Sequence, residues 1–235
     1  MDERTLRAGM LLGRPAMEKL KNSHVAVFGL GGVGSWCAEA LARSGIGRIT
    51  LVDMDTVSRT NINRQLCALE TTVGEPKTEV MRRRLLDIAP DISVRTVCGC
   101  YDAAHREEFF DDYDFIVDAI DLVSCKLDLI RTAIARGIPI VSALGTGNKC
   151  DAQKLVISDI KKTSGCPLAR VMRKELRARG IEHLDVVYSP EEGMEPEQLE
   201  APPPGRRSVP GSLVWVPATA GMLLCQHVVT ELIKK

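Results

Sequence analysis

A glycine-punctuated turn between two apolar runs constrains the fold of this chain more than any other feature. The run His24-Val25-Ala26-Val27-Phe28 leads into Gly29-Leu30-Gly31-Gly32-Val33-Gly34. A helix-like segment then delivers a second apolar run, which ends in Asp53-Met54-Asp55. The spacing G-x-G-x-x-G after a strand and before a helix is the fingerprint of a nucleotide-binding βαβ unit. Gly29 permits the tight turn, Gly31 lets a ligand approach the backbone, and Gly34 lets the helix pack on the sheet. The helix N-terminus offers a phosphate its unpaired N–H groups and the positive end of its dipole. Asp53 lies 19 residues after Gly34, at the end of the second run. A carboxylate there can accept hydrogen bonds from a ribose.

Apolar runs and helical patterns alternate to about residue 145, which predicts an α/β fold: a Rossmann-like, doubly wound, largely parallel sheet with helices on both faces. Strands are expected near 24–28, 48–53, 93–98, 114–118 and 139–143, and again near 154–159, 185–188 and 212–216. Helices are expected near 33–44, 76–88, 103–110, 122–136, 167–179 and 218–233. The chain reads as one domain over 1–235, with an N-terminal helical segment at about 1–22. The Pro-, Glu- and Gly-rich stretch at about 189–212 reads as a mobile loop, because a strand and a helix resume after it.

The residues after the second run bear on which nucleotide is bound. A dehydrogenase holds a pyrophosphate that does not react, and needs few further cations there. This chain places Asn61, Arg64 and Lys77 close behind Asp53. Two cations suit a triphosphate whose charge rearranges in the transition state. Each alone is equally a solvated surface side chain, so the argument rests on the set. The run Tyr113 to Asp121 reads as a buried parallel strand ending in carboxylates. Asp121 would face the same crevice as Gly32 and Asp53, as a hard oxygen ligand for Mg²⁺ between phosphates. It reads equally well as an N-cap for a helix beginning near Leu122.

The motifs GLGGVG, LVDMD, NINRQ, EPK and DAID, in this order and at these intervals, resemble those of the ThiF/MoeB/HesA superfamily. These are adenylating enzymes related to ubiquitin-activating enzymes. Finer stretches, among them SALGTGNK, DIKKTSGCPLARVMRKELR, VVYSPEE and PGSLVWVPATAG, are similar to the tRNA threonylcarbamoyladenosine dehydratase branch. The resemblance implies backbone contact between Gly32 and the ATP phosphates, and ribose binding by Asp53. It implies that Asn61, Arg64 and Lys77 bind the triphosphate and stabilise the transferring phosphoryl group, and that Asp121 supports Mg²⁺ and adenylation. Gly29, Gly31, Gly34, Asp55 and Gln65 stand with them as ATP-binding candidates. Arg4 and Arg7 match an N-terminal Arg-x-x-Arg whose second member reaches the partner subunit's site, so a homodimer with Arg7 acting in trans is expected. Thr5 stands where the family usually has an aromatic residue.

The implied reaction is ATP-dependent cyclisation of N6-threonylcarbamoyladenosine in tRNA through a carboxyl-adenylate. An intramolecular closure has a large effective molarity and needs no covalent enzyme relay. A second reading uses the same ATP residues to adenylate the C-terminus of a ubiquitin-like sulfur carrier, with a sulfur-transfer or carrier-protein partner. A third, an NAD-linked oxidoreductase or nucleotide sensor, is disfavoured by Asn61, Arg64 and Lys77, so NAD is not expected.

Eight cysteines without a Cys-x-x-Cys make a structural zinc unexpected. Cys166 precedes a predicted helix, where a thiolate is favoured, but it reads also as an ordinary small residue before Pro167. The 31 basic and 31 acidic residues cancel, so no global field attracts nucleic acid. A local stripe, Arg170, Arg173, Lys174 and Arg177, could contact phosphates or simply be a solvated helix face. Val171, Met172 and Leu176 are expected on its apolar side, with Lys161 and Lys162 just upstream. The charged N-terminus and the stretch Leu213 to Val229, interrupted by Pro217, Gln226 and His227, point to a cytoplasmic protein without a membrane span.

Overall fold

The computed structural model describes residues 2–199, 201 and 208–234. Seven strands form one sheet in the order β3-β2-β1-β4-β5-β7-β6: β1 (His24–Phe28), β2 (Arg48–Asp53), β3 (Ser93–Cys98), β4 (Phe115–Asp118), β5 (Ile140–Ala143), β6 (Val156–Asp159) and β7 (Asp185–Tyr188). The pairings are parallel except for β6, which runs antiparallel to β7. The chain builds outward from β1 in one direction through β2 and β3, then returns to β4 on its other side. Ligands of open α/β sheets lie at such a reversal, beyond the carboxyl ends of the strands.

Both faces of the sheet are covered, so β1 is buried at every position. Val25, Val27, Ile49 and Leu51 pack against α3 (Gly34–Arg43), α4 (Lys77–Ile88) and α7 (Trp215–Lys234). On the other face Ala26, Phe28 and Ile116 meet α5 (Val123–Ala135), α6 (Pro167–Arg177) and an aromatic group, Tyr101, Phe109, Phe110 and Tyr113. The expected α/β architecture is therefore observed.

Four local expectations change. The N-terminal segment is two helices, α1 (Leu6–Leu12) and α2 (Arg14–Asn22), broken at Gly13, whose φ of 83° suits glycine. The helix expected near 103–110 is only a 3₁₀ turn, Arg106–Phe109. Phe109 and Phe110 are both buried in the aromatic cluster with Tyr101 and Tyr113, and that packing sets the chain here. The strand expected near 212–216 is absent, because α7 already begins at Trp215. Pro217 falls in its first turn, where a missing N–H costs nothing. At 20 residues α7 has the length and apolar composition of a membrane span, which the shorter, interrupted stretch read from sequence did not. In this fold its apolar residues Val216, Ala220, Leu224, Val228 and Leu232 belong to the core.

Of the stretch expected to be a mobile loop, 200 and 202–207 lie outside the described residues, and its flanks are held. The Met194 N–H donates to the Asn148 carbonyl (2.7 Å), and the Gly211 N–H donates to the Asn148 side chain (2.7 Å). Asn148 sits at φ 61°, in the left-handed region that asparagine tolerates. The buried Lys149 ammonium donates to the carbonyls of Ser189 (2.5 Å) and Glu191 (3.0 Å). Burial pushes the Lys149 pKa down from the usual lysine range.

Candidate active site

The site begins where the backbone after β1 turns under the rest of the crevice. Gly29, at φ 90°, donates to the Val52 carbonyl (2.8 Å), and a Cβ there would lie 2.6 Å from the Ala119 carbonyl oxygen. A Cβ on Gly34 would lie 1.8 Å from the Gly29 carbonyl oxygen, so both positions demand glycine. Asp53 secures this turn: its carboxylate accepts the N–H of Leu30 (2.5 Å) and of Asp55 (2.8 Å). The sequence suggested a ribose ligand; the structure adds a backbone clamp.

The segment 61–66 lies against the first turn of α3. The Ser35 hydroxyl donates to the Gly31 carbonyl (2.7 Å) and accepts the Leu66 N–H (3.1 Å). The Trp36 indole N–H donates to the Arg64 carbonyl (3.1 Å). A Cβ on Gly32 would be 3.5 Å from Arg64 Cγ and 3.2 Å from Pro217, and one on Gly31 would be 3.9 Å from the Gln65 amide nitrogen. The glycine turn, Arg64, Gln65 and the start of α7 thus meet. Ser35 and Trp36, which do this, were not singled out in the sequence; their only signal is a place on the helix directly after the glycines.

Each cation here already has partners. Arg64 donates to the Thr60 carbonyl (2.8 Å) and the Asn63 amide oxygen (2.9 Å). Lys77, buried at the start of α4, pairs with the more exposed Asp55 at 2.8 Å. Asn61 accepts the Ser58 N–H at 3.1 Å and so closes a capping box around its own turn. Cys67 lies behind Gln65, and burial pushes its thiol pKa up to about 11, so it stays protonated near neutrality.

The opposite wall is the carboxyl end of β4. Asp121 is exposed on the turn after the strand. It does not occupy the N-cap place: α5 begins at Val123 with Leu122 before it and no side-chain cap from that residue. Beneath the turn, Asp118 and Lys126 form an ion pair of 2.9 Å in which both side chains are 0% exposed. Sequence reasoning assigns no role to this pair; a lysine within the apolar helix pattern of α5 is its only trace.

The N-terminal candidates lie apart from the crevice. Arg7 is exposed on α1. Thr5, just before it, packs on Gly45 ahead of β2, and Arg4 pairs with Asp2 and Asp91 ahead of β3, so this region sits at the amino edge of the sheet. A cavity of about 690 Å³ at that edge, lined in part by Arg4, Arg14, Arg43 and Asp91, shares no lining residue with the crevice. Cys166 is buried at the start of α6, against Gly145. On α6, Arg170, Arg173, Lys174 and Arg177 line one shallow surface, and Met172 and Leu176 are buried. Val171 was expected on the apolar side but is 45% exposed. Arg173 donates to the carbonyl and hydroxyl of Thr163, both at 2.6 Å, so it also ties α6 to the preceding turn.

A glycine turn against a helix N-terminus, two cations on one wall and an acid on the other define an α/β nucleotide-binding protein equipped for phosphate chemistry at its topological switch point. The chain belongs to the ThiF family, whose model matches residues 4–235. It is 42% identical over 238 residues to a tRNA threonylcarbamoyladenosine dehydratase of Bacillus subtilis (strain 168), covering 97% of this chain and 94% of that one. The corresponding Escherichia coli (strain K12) protein is 34% identical over 245 residues, covering 96% and 91%. A molybdopterin-synthase adenylyltransferase of the same organism is 38% identical, but over 125 residues, 53% of this chain. Among solved structures, E. coli tRNA N6-threonylcarbamoyladenosine dehydratase, TcdA, in complex with ATP superposes with a TM-score of 0.89 at 34% identity, covering 99% of this chain and 94% of that one. Its complex with AMP gives a TM-score of 0.90.

Proposed function

We propose that this chain is an ATP-dependent tRNA threonylcarbamoyladenosine dehydratase. The observation that supports this most is full-length likeness to such dehydratases, while likeness to a carrier-protein adenylyltransferase covers about half the chain. ATP would lie with its phosphates on the glycine turn and the first turn of α3. The substrate carboxylate attacks the α-phosphate, the bond to pyrophosphate breaks, and an acyl-adenylate forms. The neighbouring carbamoyl group then closes on the activated carbonyl and AMP leaves with the former carboxylate oxygen, so the base loses the elements of water.

In this reading Gly32 and its neighbours approach the phosphates through the backbone, and Asp53 holds the turn and takes the ribose. Asn61 and Gln65 line the phosphate path. Lys77 exchanges Asp55 for a phosphate oxygen, and with Arg64 offsets the charge that develops on the leaving pyrophosphate. The exposed Asp121 carboxylate is a hard oxygen donor that fits Mg²⁺ shared with phosphates, where the ion would supply further charge neutralisation. The α6 stripe, with Lys162 nearby, would take tRNA phosphates.

Pyrophosphate exchange into ATP tests the substrate. Stimulation by tRNA bearing threonylcarbamoyladenosine, and none by a carrier ending in Gly-Gly, is the expected result; the reverse would overturn the assignment. The reading extends to a homodimer in which Arg7 serves the partner's site across an isologous interface. Mixing Arg7→Ala and Lys77→Ala chains should then recover part of the activity, since one mixed site keeps both residues. Proven heterodimers without recovery would exclude Arg7 in trans.

A further inference from the structure

The fully buried ion pair beneath the Asp121 turn is an unfavourable way to stabilise a helix. Lys126 lies in the first turn of α5, where the helix dipole disfavours a cation. Removing two charges from water is costly, and well-packed apolar residues often serve stability as well or better. Stability alone therefore does not account for the pair.

Its hydrogen bonds do. The Lys126 ammonium donates to the Ile120 carbonyl (3.1 Å) and the Ala143 carbonyl (2.9 Å), and it forms its ion pair with the Asp118 carboxylate at 2.9 Å. The Asp118 carboxylate in turn accepts the Ser142 hydroxyl (2.6 Å) and the Ile120 N–H (3.2 Å). Both polar ends of Ile120, the residue before Asp121, are thus held by one buried pair. The same network joins the carboxyl ends of β4 and β5. The Ala119 carbonyl is also the surface against which Gly29 packs.

We infer that Asp118 and Lys126 are positioning residues for the reaction: together they fix the turn Ala119–Leu122, and so the distance from the Asp121 carboxylate to the glycine turn across the crevice. This rests on the role given above to Asp121. An acid that supports charge development at one phosphate must be placed closely, since a displacement of about 1 Å can cost about a hundredfold in rate. A buried, fully bonded pair gives such placement because none of its members can reorient without leaving a charge or a carbonyl unpaired.

The test compares Asp118→Asn/Lys126→Met, which removes both charges together, with Asp121→Asn. Pyrophosphate exchange gives kcat and KM for ATP, thermal unfolding gives stability, and amide hydrogen exchange reports the backbone of residues 119–122. The double variant should fold, keep its KM for ATP within about threefold, lose at least about tenfold in kcat, and exchange its 119–122 amides faster. Lys126→Arg with Asp118 intact, which keeps the charge pair, should retain more of kcat than the double variant. A folded double variant with native kcat and native amide exchange would overturn the inference. If Asp121→Asn is fully active while the double variant shows faster amide exchange, the role of Asp121 fails and the anchoring of the turn stands. Should the double variant not fold, Ser142→Ala replaces it, since it deletes one hydrogen bond and leaves the pair. Faster amide exchange at 119–122 with a reduced kcat supports the inference, and native values for both overturn it.

Discussion

Two lysine–aspartate pairs of nearly equal length stand at the carboxyl edge of the same sheet in opposite surroundings. Lys77 and Asp55 meet at 2.8 Å, but the Asp55 side chain is 52% exposed. Lys126 and Asp118 meet at 2.9 Å with neither exposed. In the first pair the Lys77 side chain is 5% exposed, but water reaches Asp55, so the aspartate can give up the lysine to a phosphate and be rehydrated. The second has no solvent to fall back on, and separating it strands a charge in the interior. Length does not distinguish a group that can engage a ligand from one that holds the scaffold; exposure of the partner does.

The most forceful way to break this contrast is to remove one lysine at a time. Lys126→Met should destabilise the fold by about 3–5 kcal/mol by leaving Asp118 unpaired, and adding Asp118→Asn should return most of the loss. Urea unfolding of the three chains measures it, and a small loss in the single variant would mean that water reaches the pair. Lys77→Met should do the reverse, shifting stability by less than about 1 kcal/mol. Its exchange rate should fall about a hundredfold or more, as for a lost electrostatic contact to the transition state. Native activity would place Lys77 outside the chemistry.

A third, intermediate case sharpens the scale. The Glu39 side chain on α3 is 9% exposed and pairs with Arg84 and, at 2.8 Å, with Arg43. Burial raises its pKa, but the two guanidinium groups outweigh it and hold the carboxyl below the usual glutamate range. A group depressed in the folded state stabilises above its unfolded pKa, about 4.3, and loses that contribution as pH falls through the folded value. Melting temperature should therefore drop more steeply with acid in the native chain than in Glu39→Gln, a smaller effect than either lysine substitution. Parallel acid profiles would show that Glu39 contributes nothing in this range.

The glycine-turn side of the site was legible because its signals are local. Gly29, Gly34 and Asp53 lie within 25 residues, and each is demanded by backbone geometry that leaves few alternatives. The parallel sheet was legible for a similar reason, since β1 and β4 are buried on both faces and read as unbroken apolar runs. The Asp118–Lys126 pair was not, because its meaning depends on the carbonyls of residues 120 and 143, which no sequence spacing brings together. Where α7 begins was obscured by Pro217, a helix breaker in the interior and a neutral residue in the first turn. The 3₁₀ turn before Phe110 was hidden by a helix-like composition that aromatic packing overrode.

Asn148 holds the backbone at Met194 and at Gly211 through three hydrogen bonds of its own. The sixteen-residue excursion between those anchors is therefore closed at its base, independently of what it contains. Loop-closure entropy grows only logarithmically, by about 0.6 kcal/mol for each doubling of length. An added peptide or small module between 195 and 210 would thus leave the sheet and crevice undisturbed, which makes this the natural insertion point for evolution or for an engineer extending the enzyme's reach toward a large substrate.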